Sequence, residues 1–358
     1  MKILLLSRYS RMGASSRLRS YQYLPFLQHN GVQVTVAPLF PSRYLRNRYT
    51  HTRGNLLLTA QAYAKRLWQL LNARPYDLIW IEKEIFPWLP ACFETIGSIW
   101  RIPWVADYDD AIFHRYDLSS VKIVRRMLGK KIDRVMRHAG LVIAGNQYLA
   151  ERAKKAGAQR VEILPTVVDM ERYDRTTLNE CDDTGRPVVI GWIGSPTTVP
   201  YLQSLSHVLG RLRRRYRIKV VNLGGGDIRM PGVSLENRGW TEDSEVEKIQ
   251  QFDIGIMPLP NSPWAKGKCG YKLIQYMACA KPVVASAVGS NREIVIDGQN
   301  GLLAETSEEF YAALEKLIKD PMLRYRLGEN GFHLVKKRYC LQVTAPKLLS
   351  FLTSAANR

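Results

Sequence analysis

The sequence predicts an α/β protein with two doubly wound domains in tandem. Short apolar runs of strand length alternate with stretches of helical periodicity, first from Lys2 onwards and again from Val188 onwards. Such alternation is typical of a parallel sheet that is covered by helices on both faces. A polar stretch at 171–186 separates the two series, and 358 residues are long for a single core. We therefore expect two domains of ordinary size, with the boundary in that stretch.

The first series opens with a strand, a glycine-containing loop and a helix. Lys2–Ser7 is the apolar run, Gly13 lies in the loop, and Arg17–His29 has helical spacing. In a doubly wound sheet the ligand crevice lies beyond the carboxyl ends of the strands, which is where Gly13 falls. The other predicted elements are strands at 32–39, 77–81, 103–106, 141–144 and 161–164 and helices at 55–72 and 146–155, with a basic stretch at 41–53.

The second series repeats this pattern, with glycines at the ends of its strands. Gly191 and Gly194 bracket the end of its first strand, and three glycines with Asp227 close the next one. Glycine at these positions permits tight turns and close approach of a ligand. The other predicted elements are helices at 201–216, 245–251, 308–319, 322–337 and 343–351, a turn at 239–243 and a strand at 254–259.

The stretch Lys266–Val284 joins a glycine-punctuated loop, a short helix and an apolar strand in under twenty residues. Gly267 and Gly270 allow tight turns, and Lys268 and Lys272 add positive charge at the start of the helix. A helix N-terminus presents unpaired N–H groups and a positive dipole end, so the expected ligand is a phosphate. The alternative is an ordinary loop and helix start, as any βα unit requires.

Composition excludes several classes of protein. The hydrophobic fraction of 46% is that of a globular protein, and no run approaches the ~20 apolar residues of a membrane span. The opening residues MKILLLSRYS are too quickly charged for a signal peptide, so we expect a cytoplasmic protein. The five cysteines show no paired spacing and predict neither a disulfide framework nor a zinc site.

The net charge of +20 arises mostly in the first half of the chain. Such an excess attracts nucleic acid, an anionic membrane surface or phosphorylated substrates, but no nucleic-acid-binding signature is present. In Val121–Arg137, apolar and basic residues alternate in helical rhythm. A basic amphipathic helix commonly lies on a bilayer, which favours the membrane. An ordinary surface helix with a solvated basic face is the alternative.

Carboxylates cluster after two strands of the first series. Glu82 and Glu84 follow one strand, and Asp107, Asp109 and Asp110 follow the next. Crowded carboxylates in a cleft suit acid or base chemistry or the binding of hydroxyl groups, and metal ligation is the rival function. His114, four residues after Asp110, is either a base or a cap for the loop.

Eight motifs together carry a resemblance to a known family. In chain order they are MGASSRLR, DYDDA, ILPTVVDMERY, IGWIGSP, LGGGD, RGWTED, GYKLIQYMACAKPVVAS and SNREIVIDGQNGLL. In their order and spacing the chain resembles a GT-B glycosyltransferase, most similar to glycosyltransferase family 4, nearly end to end. The resemblance implies two Rossmann-like domains facing a deep interdomain cleft, with a C-terminal helix that crosses back to the first domain. It places an acceptor domain at 1–170 with 340–358 and a nucleotide-sugar domain at 171–339.

The resemblance also implies roles for individual residues, with two departures from the family pattern. The family has a pair of glutamates eight positions apart where this chain has Gly267 and Gln275, and an Arg and a Lys where it has Ser195 and its neighbours. Gln275 can still hydrogen-bond the ribose hydroxyls. The expected pyrophosphate contacts are Gly194, Ser195, Thr197, Lys268, Gly270, Tyr271 and Lys272.

Further roles follow from the same comparison. The base and ribose are expected against the loop that includes Gly225 and Asp227 and against Trp240, although Trp240 can equally be a core residue. Gly13 and Arg17 are expected near the donor phosphates. Asp110 and His114 are the candidates for contacts to the transferred sugar or to the acceptor hydroxyl, and Lys268 and Lys272 for stabilising the leaving nucleotide.

The implied reaction is metal-independent, retaining transfer from a nucleotide sugar, without a cofactor. UDP-sugars are favoured and GDP-sugars come second. The acceptor is a saccharide or a lipid-linked saccharide in cell-surface polysaccharide or lipopolysaccharide synthesis, and the protein is expected peripherally on the inner face of the membrane. The alternatives are an inactive nucleotide-sugar-binding protein, a GT-B epimerase and a basic nucleic-acid-binding protein.

Overall fold

The computed structural model describes residues 1–41, 56–98, 101–173 and 185–357. It divides into two compact units. The first comprises Met1–Thr166, Gly267–Cys269 and Leu341–Arg358, and the second comprises Val167–Lys266 and Gly270–Cys340. The sequence-based division placed residues 267–269 in the second domain, whereas their contacts group them with the first unit.

The first unit is built on a six-stranded parallel sheet with the order β2-β1-β3-β4-β5-β6. Its strands are β1 (Lys2–Leu6), β2 (Gln33–Val36), β3 (Leu78–Glu82), β4 (Trp104–Tyr108), β5 (Leu141–Ala144) and β6 (Val161–Ile163). Every residue of β3, β4 and β5 is buried, as expected for central strands covered on both faces. The strand order reverses beside β1, which places a ligand crevice at the carboxyl ends of β1 and β3.

Helices cover both faces of this sheet. They are α1 (Ala14–Arg19), α2 (Leu24–His29), α3 (Leu56–Leu71), α4 (His114–Asp117), α5 (Lys122–Leu128), α6 (Lys131–His138) and α7 (Gln147–Ala156). Short 3₁₀ helices lie at Tyr21–Tyr23 and Ala91–Ser98. The boundaries of α7 follow its sequence, because the Asn146 side chain accepts a hydrogen bond from the N–H of Leu149 and Gly157 ends the helix at φ +86°.

The second unit repeats the architecture with the order β12-β11-β10-β7-β8-β9, again all parallel. Its strands are β7 (Val188–Ile193), β8 (Ile218–Leu223), β9 (Leu235–Arg238), β10 (Ile254–Met257), β11 (Val283–Ser286) and β12 (Leu302–Ala304). Its helices are α8 (Val199–Gln203), α9 (Ser206–Arg215), α10 (Glu245–Gln250), α11 (Pro263–Lys266), α12 (Tyr271–Ala278), α13 (Asn291–Ile294), α14 (Ser307–Lys319) and α15 (Pro321–Arg338), with 3₁₀ turns at Met170–Arg172 and Pro196–Thr198.

The last helix, α16 (Leu341–Ala356), belongs to the first unit, which confirms that the chain crosses back. The hydroxyls of Tyr23 and Thr344 are 3.1 Å apart, and the Arg160 guanidinium donates to Ser354 Oγ at 2.7 Å. Leu348 and Leu352 are completely buried. The two doubly wound domains predicted from the alternation of strands and helices are likewise confirmed.

The predicted amphipathic helix at 121–137 is wrong as a single element. It is two helices, α5 and α6, which are separated at Gly129 and Lys130. Ile132, Val135 and Met136 are core residues, whereas Val121, Ile123 and Met127 are exposed. The predicted helix Arg17–His29 is also divided, into α1, a 3₁₀ turn and α2.

Two other predicted stretches lie largely outside the described residues. Most of the basic stretch at 41–53 and of the boundary stretch at 171–186 lies outside them. Within the described part of the chain, no helix has both the length and the apolar character needed to cross a bilayer. Four of the five cysteines are described, and none of these four forms a disulfide.

Candidate active site

Two of the clustered carboxylates of the first unit hold the loop between β1 and α1. Glu82 accepts hydrogen bonds from Ser16 Oγ at 2.6 Å and from the Arg8 N–H at 2.8 Å. Asp107 pairs with the Arg19 guanidinium at 2.8 Å. Burial raises the pKa of Asp107 to about 6, although the Arg19 charge acts in the opposite direction. Because both side chains are buried and internally bonded, they serve the structure of the loop.

Asp109 belongs to a closed group of three side chains. The Lys83 ammonium lies 2.7 Å from Asp109 Oδ1 and donates to Ser15 Oγ at 2.8 Å, and Ser15 Oγ donates to Asp109 Oδ2. Burial alone would raise the pKa of Asp109, but the Lys83 ammonium and these hydrogen bonds hold that pKa below its ordinary value. Asp109 is therefore ionised and fixed in position.

Asp110, the predicted sugar or acceptor contact, has a more open environment. Its carboxylate oxygens lie 3.8 Å from Lys268 Nζ and 3.9 Å from Lys83 Nζ, beyond hydrogen-bonding distance, and its side chain is 30% exposed. Burial raises the pKa of Asp110, against the influence of Lys268. The neighbouring carboxylates Asp109 and Asp110 thus have pKa values shifted in opposite directions, a pattern found where acidic residues take separate roles.

His114, the other candidate, already has protein partners at both ring nitrogens. Nδ1 lies 2.8 Å from Asp117 Oδ1 and Nε2 lies 2.7 Å from the Tyr148 hydroxyl. Arg152 completes the group by pairing with Asp117 at 3.1 Å. This geometry corresponds to the loop-capping alternative, because His114 would have to give up one partner to act on a substrate. Its catalytic role stays a prediction.

Residues 267–269 are bound to the loops of the first unit. The Asn146 amide donates to the carbonyl oxygens of Gly267 at 3.1 Å and Lys268 at 3.2 Å, and the Cys269 thiol donates to the Asp109 carbonyl at 3.0 Å. A Cβ at position 267 would overlap the Cβ of Ala111 and lie 2.8 Å from its backbone nitrogen. Glycine is therefore set by packing here, and the glutamate of the family pattern has no room.

The loop after β1 holds the remaining predicted residues of the first unit. Gly13 donates its N–H to the Ser10 carbonyl at 2.9 Å and precedes α1, and a Cβ on it would come within 2.6 Å of Tyr9 Cβ. Arg17 is buried on α1. Gly13 is thus required by its contact with Tyr9, and the predicted donor contacts of Gly13 and Arg17 stay predictions.

In the second unit, a lysine at the start of α12 lies over an aromatic ring at the end of β7. Lys272 Nζ lies 4.1 Å from the ring centroid of Trp192, at cation–π distance. A Cβ at Gly194 would overlap the Trp192 ring and lie 2.7 Å from Lys272 Nζ, so a side chain there would displace this pair. Ser195 and Thr197 follow, with their hydroxyls 2.8 Å apart. The structure therefore brings together Gly194 and Lys272, two of the residues predicted to bind phosphate.

The predicted nucleotide loop follows β8. Gly224 and Gly226 adopt positive φ angles of +84° and +82°, and the N–H of Gly225 donates to Asn222 Oδ1 at 3.2 Å. Asp227 is exposed and accepts a hydrogen bond from Asn237 at 2.9 Å. Gly270 begins α12 at φ +65°, followed by the half-buried Tyr271. These turns leave glycine backbone near the carboxyl ends of the strands.

Gln275, the predicted ribose contact, is 2% exposed on α12. Its amide nitrogen is buried and has no hydrogen-bond partner within the described residues, although its side chain lies near the Tyr173 hydroxyl. Tyr173 donates to Glu245 Oε1 at 3.2 Å, and Trp240 Nε1 donates to Glu245 Oε2 at 2.6 Å. Trp240 is half-buried, and its hydrogen bond to Glu245 fixes the edge of the indole ring.

Sequence reasoning missed Tyr173, Glu245 and Lys83. Glu245 resembles any acidic residue in the first turn of a helix, and Tyr173 lies within the polar boundary stretch. Lys83 lies between Glu82 and Glu84, and a basic residue beside two acidic ones is usually a solvated partner of either. The one sequence feature that could have indicated Lys83 is its position between two glutamates at the carboxyl end of a strand, where side chains face the ligand crevice.

A metal site receives no support from the carboxylate cluster. Within the residues that the structure describes, no group of three or more His, Cys, Asp or Glu side chains is arranged to hold a metal ion. Lys83 and Arg19 occupy the positions beside Asp109 and Asp107. The cluster is therefore a set of carboxylates compensated by basic side chains.

Family models match both units of the chain. The model described as "Glycosyl transferase 4-like domain" matches residues 5–166, and the one described as "Glycosyl transferases group 1" matches residues 187–320. Together they cover most of both sheets. The chain is a GT-B glycosyltransferase of the family 4 type. The resemblance stated from the motifs is confirmed, as is the prediction that the protein is an enzyme.

Individual relatives support the same assignment. An uncharacterized glycosyltransferase of Methanocaldococcus jannaschii, MJ1178, is 47% identical over 70 residues, which are 19% of this chain and 20% of that protein. The match to this relative thus spans only about a fifth of its length. The lipopolysaccharide core biosynthesis glycosyltransferase LpsE of Rhizobium meliloti is 27% identical over 127 residues, or 34% of this chain and 36% of that one.

Solved structures show the fold over the whole chain. The crystal structure of Anabaena Alr3699/HepE in complex with UDP-glucose has a TM-score of 0.74 to this glycosyltransferase, at 19% identity, and covers 99% of this chain and 100% of that one. At this identity the likeness shows the GT-B fold, which agrees with the two parallel six-stranded sheets.

Proposed function

We propose that this glycosyltransferase transfers a sugar from a UDP-sugar to a saccharide or lipid-linked acceptor, with retention of configuration and without a metal ion. The observation that carries the donor assignment is the group formed by Lys272, Trp192 and Gly194 after β7. It offers a fixed positive charge and bare backbone at the carboxyl end of a parallel sheet, where doubly wound domains bind nucleotides. The Anabaena relative, crystallised with UDP-glucose, favours UDP over GDP.

The donor would lie against the second unit. Lys272, the hydroxyls of Ser195 and Thr197 and the N–H groups at the start of α12 would bind the diphosphate. The turn at Gly224–Asp227 and the Trp240 edge would flank the base, and Gln275 would hydrogen-bond the ribose. Lys268 lies beside Asp110 in the first unit, and its predicted contact with the diphosphate stays a prediction.

In the proposed reaction the acceptor oxygen forms a bond to the anomeric carbon while the bond from that carbon to the UDP phosphate oxygen breaks. The acceptor proton passes to the departing phosphate, so no separate base is consumed. Negative charge grows on the leaving diphosphate, and basic side chains already held in place stabilise it without reorganisation. Because the lysines carry that charge, a divalent metal is not required.

A thermal-shift screen tests the donor. UDP, GDP and ADP and their common sugars are added in turn, and a nucleotide present at 100 times its Kd should stabilise the protein by ~2.7 kcal/mol. We expect UDP and a UDP-sugar to raise the melting temperature. Product analysis with the stabilising sugar then separates transfer from epimerisation or mere binding. Stabilisation by GDP alone, or by no nucleotide, would refute the UDP assignment.

The acceptor side of the proposal includes a membrane surface. Leu118, Val121, Ile123 and Met127 are each more than half exposed on and before α5. Lys122, Arg125 and Arg126 lie on the same short helix. Exposed apolar side chains among basic ones suit the interface of a bilayer that contains anionic lipid. The surface is smaller than the sequence predicted, because the apolar residues of α6 belong to the core.

Vesicle sedimentation tests this surface. We expect binding to vesicles that contain phosphatidylglycerol and little binding to pure phosphatidylcholine. The double variant Ile123→Asp, Met127→Asp should lose that binding. Met322→Asp changes a methionine of the second unit that is 66% exposed, against 59% for Met127, and is the control. Equal binding by the double variant and the control would exclude α5 as the membrane contact.

A further inference from the structure

Lys83 occupies an unusual backbone position at the end of β3. Its φ angle is +68°, in the left-handed region that residues with a side chain rarely adopt. Its N–H donates to the Asp107 carbonyl at 2.9 Å, which fixes this conformation next to β4. Strained positions of this kind are found where a side chain must be aimed at a functional group. Here the Lys83 ammonium points toward the carboxylates of Asp109 and Asp110.

The Lys83 ammonium joins three elements of the first unit. It contacts Ser15 at the start of α1 and Asp109 in the loop after β4, while itself following β3. It is almost completely buried, as is Asp109, so this ion pair is shielded from solvent. Both carboxylate oxygens of Asp109 are engaged, one by Lys83 and the other by Ser15. Asp110, whose side chain is 30% exposed against 12% for Asp109, is the more accessible carboxylate.

Several charged and titratable groups surround the two aspartates, and each affects their protonation. Cations favour the ionised forms, whereas neighbouring carboxylates favour protonation. These groups are Glu82 from β3 and Lys83 directly after it, Arg19 from α1, Asp107 from β4, Arg115 from α4, and Lys268 with Cys269 from the segment 267–269. Lys83 is the cation within hydrogen-bonding distance of Asp109 and also the one shared with Asp110.

We propose that Lys83 is a positioning residue, which keeps Asp109 ionised and fixed so that Asp110 presents its carboxylate to a hydroxyl group of the bound substrate. The proposal rests on the proposed function only in that the substrate is a sugar or saccharide with hydroxyl groups. Without the ammonium, Asp109 and Asp110 would be neighbouring carboxylates of like charge. Their repulsion would favour protonation of one of them, and a protonated Asp110 would accept hydrogen bonds less well.

Three variants separate this role from a merely structural one. Lys83→Met removes the charge and keeps the strained backbone, Lys83→Gly removes the charge and relieves the backbone, and Lys83→Arg keeps the charge. We expect the acidic limb of the pH profile of kcat/KM to move up by about one pH unit or more in Lys83→Met and Lys83→Gly. Lys83→Arg should keep the wild-type limb, at a reduced kcat.

The direction follows from the charges. Loss of a cation raises the pKa of the carboxylate pair, so the ionised form disappears at a higher pH as the solution is acidified. A purely structural lysine would change the melting temperature, with Lys83→Gly more stable than Lys83→Met, and would leave the acidic limb where it is. That result would overturn the proposal.

A second readout does not depend on turnover. In protein labelled with ¹³C at the aspartate carboxyl carbons, Asp110→Asn identifies the Asp110 signal by its absence. The midpoint of that signal should move to higher pH in Lys83→Met. An unmoved midpoint would refute the role of Lys83 even if the true donor were not a UDP-sugar, whereas a moved midpoint in a protein inactive on UDP-sugars would refute only the proposed donor.

Discussion

At the scale of single residues, Gly267 and Ala111 form a close backbone contact beside the carboxylate cluster. A Cβ at position 267 would lie 2.8 Å from the Ala111 nitrogen, and backbone atoms cannot move aside as a flexible side chain can. A glutamate at position 267 would therefore collide with Ala111, which explains why glycine stands there. Any sugar contact made by that glutamate in relatives must here come from other groups.

Gly267→Ala should therefore destabilise the protein by ~1–3 kcal/mol, the usual cost of forcing extra atoms into a packed site. Ala111→Gly removes one of the overlapping atoms, so the double variant should recover part of the loss. Urea unfolding measures both. A Gly267→Ala protein with wild-type stability would show that the backbone segments at Gly267 and Ala111 are not in close contact.

The Glu245 carboxylate supports two aromatic side chains near the predicted ribose contact. It accepts hydrogen bonds from Trp240 and Tyr173, and the latter lies near Gln275. Removal of the carboxylate takes away the acceptor of both hydrogen bonds, and a hydrogen bond to a charged group contributes ~1.5–3 kcal/mol.

Glu245→Ala should accordingly lower stability and weaken UDP binding, as measured by calorimetry. Glu247→Ala is the matched control, because Glu247 lies on the same helix but is exposed. Equal UDP affinity in the two variants would show that Glu245 does not support nucleotide binding.

At the scale of elements, α6 is held in the first unit by a buried lysine. Lys131 is completely buried and lies 2.8 Å from Glu84 and 2.9 Å from Glu94, and it also donates to the Phe86 carbonyl. The sequence pattern of α5 and α6 predicted one continuous amphipathic helix because a basic residue in such a pattern is usually solvated. Here two buried glutamates compensate the charge of Lys131, so this lysine can be buried and α6 packs as a core helix.

Lys131→Met should destabilise the protein by about 3–5 kcal/mol, because it leaves the buried Glu94 carboxylate without its paired cation and Glu84 with Arg8 alone among the described residues. Lys130→Met, at the adjacent exposed position, should have little effect. Thermal and urea unfolding report the difference. A small effect of Lys131→Met would show that the glutamates have other compensation.

The same variant gives a pH dependence with a defined sign. Burial raises the pKa of Glu94 above its ordinary value, with Lys131 acting against the rise. A group whose folded pKa exceeds the unfolded one binds more protons in the folded state, so its contribution to stability falls as the pH rises through that interval. In Lys131→Met the rise is larger, so the loss of stability should be smaller at about pH 5 than at about pH 8. Unfolding curves at the two pH values test this.

At the scale of the whole molecule, the alternation of apolar runs and helical patterns was sufficient to predict two doubly wound sheets. Parallel strands that are buried on both faces are continuous apolar runs, which a sequence displays directly. The predicted site residues Gly194 and Lys272 also lie together, because strand ends and helix starts converge at one edge of a parallel sheet.

What the sequence could not predict depends on contacts between distant residues. The pairing of Lys83 with Asp109, the carboxylate that joins Tyr173 to Trp240, and the grouping of residues 267–269 with the first unit have no periodic signal. The bond of His114 to Tyr148, 34 residues along the chain, likewise has no local signal. Such contacts are decided by the fold and appear only when the elements are assembled.

The central claim is that the second unit binds a uridine diphosphate donor through Lys272. Calorimetric titration of UDP into the wild-type protein, Lys272→Met and the control Lys316→Met, an exposed lysine of the same unit, tests this claim directly. We expect Lys272→Met to bind UDP at least ~10-fold more weakly, which corresponds to ~1.4 kcal/mol, and Lys316→Met to bind it as the wild type does. Absence of UDP binding by the wild type, or equal affinity in Lys272→Met, would contradict the claim.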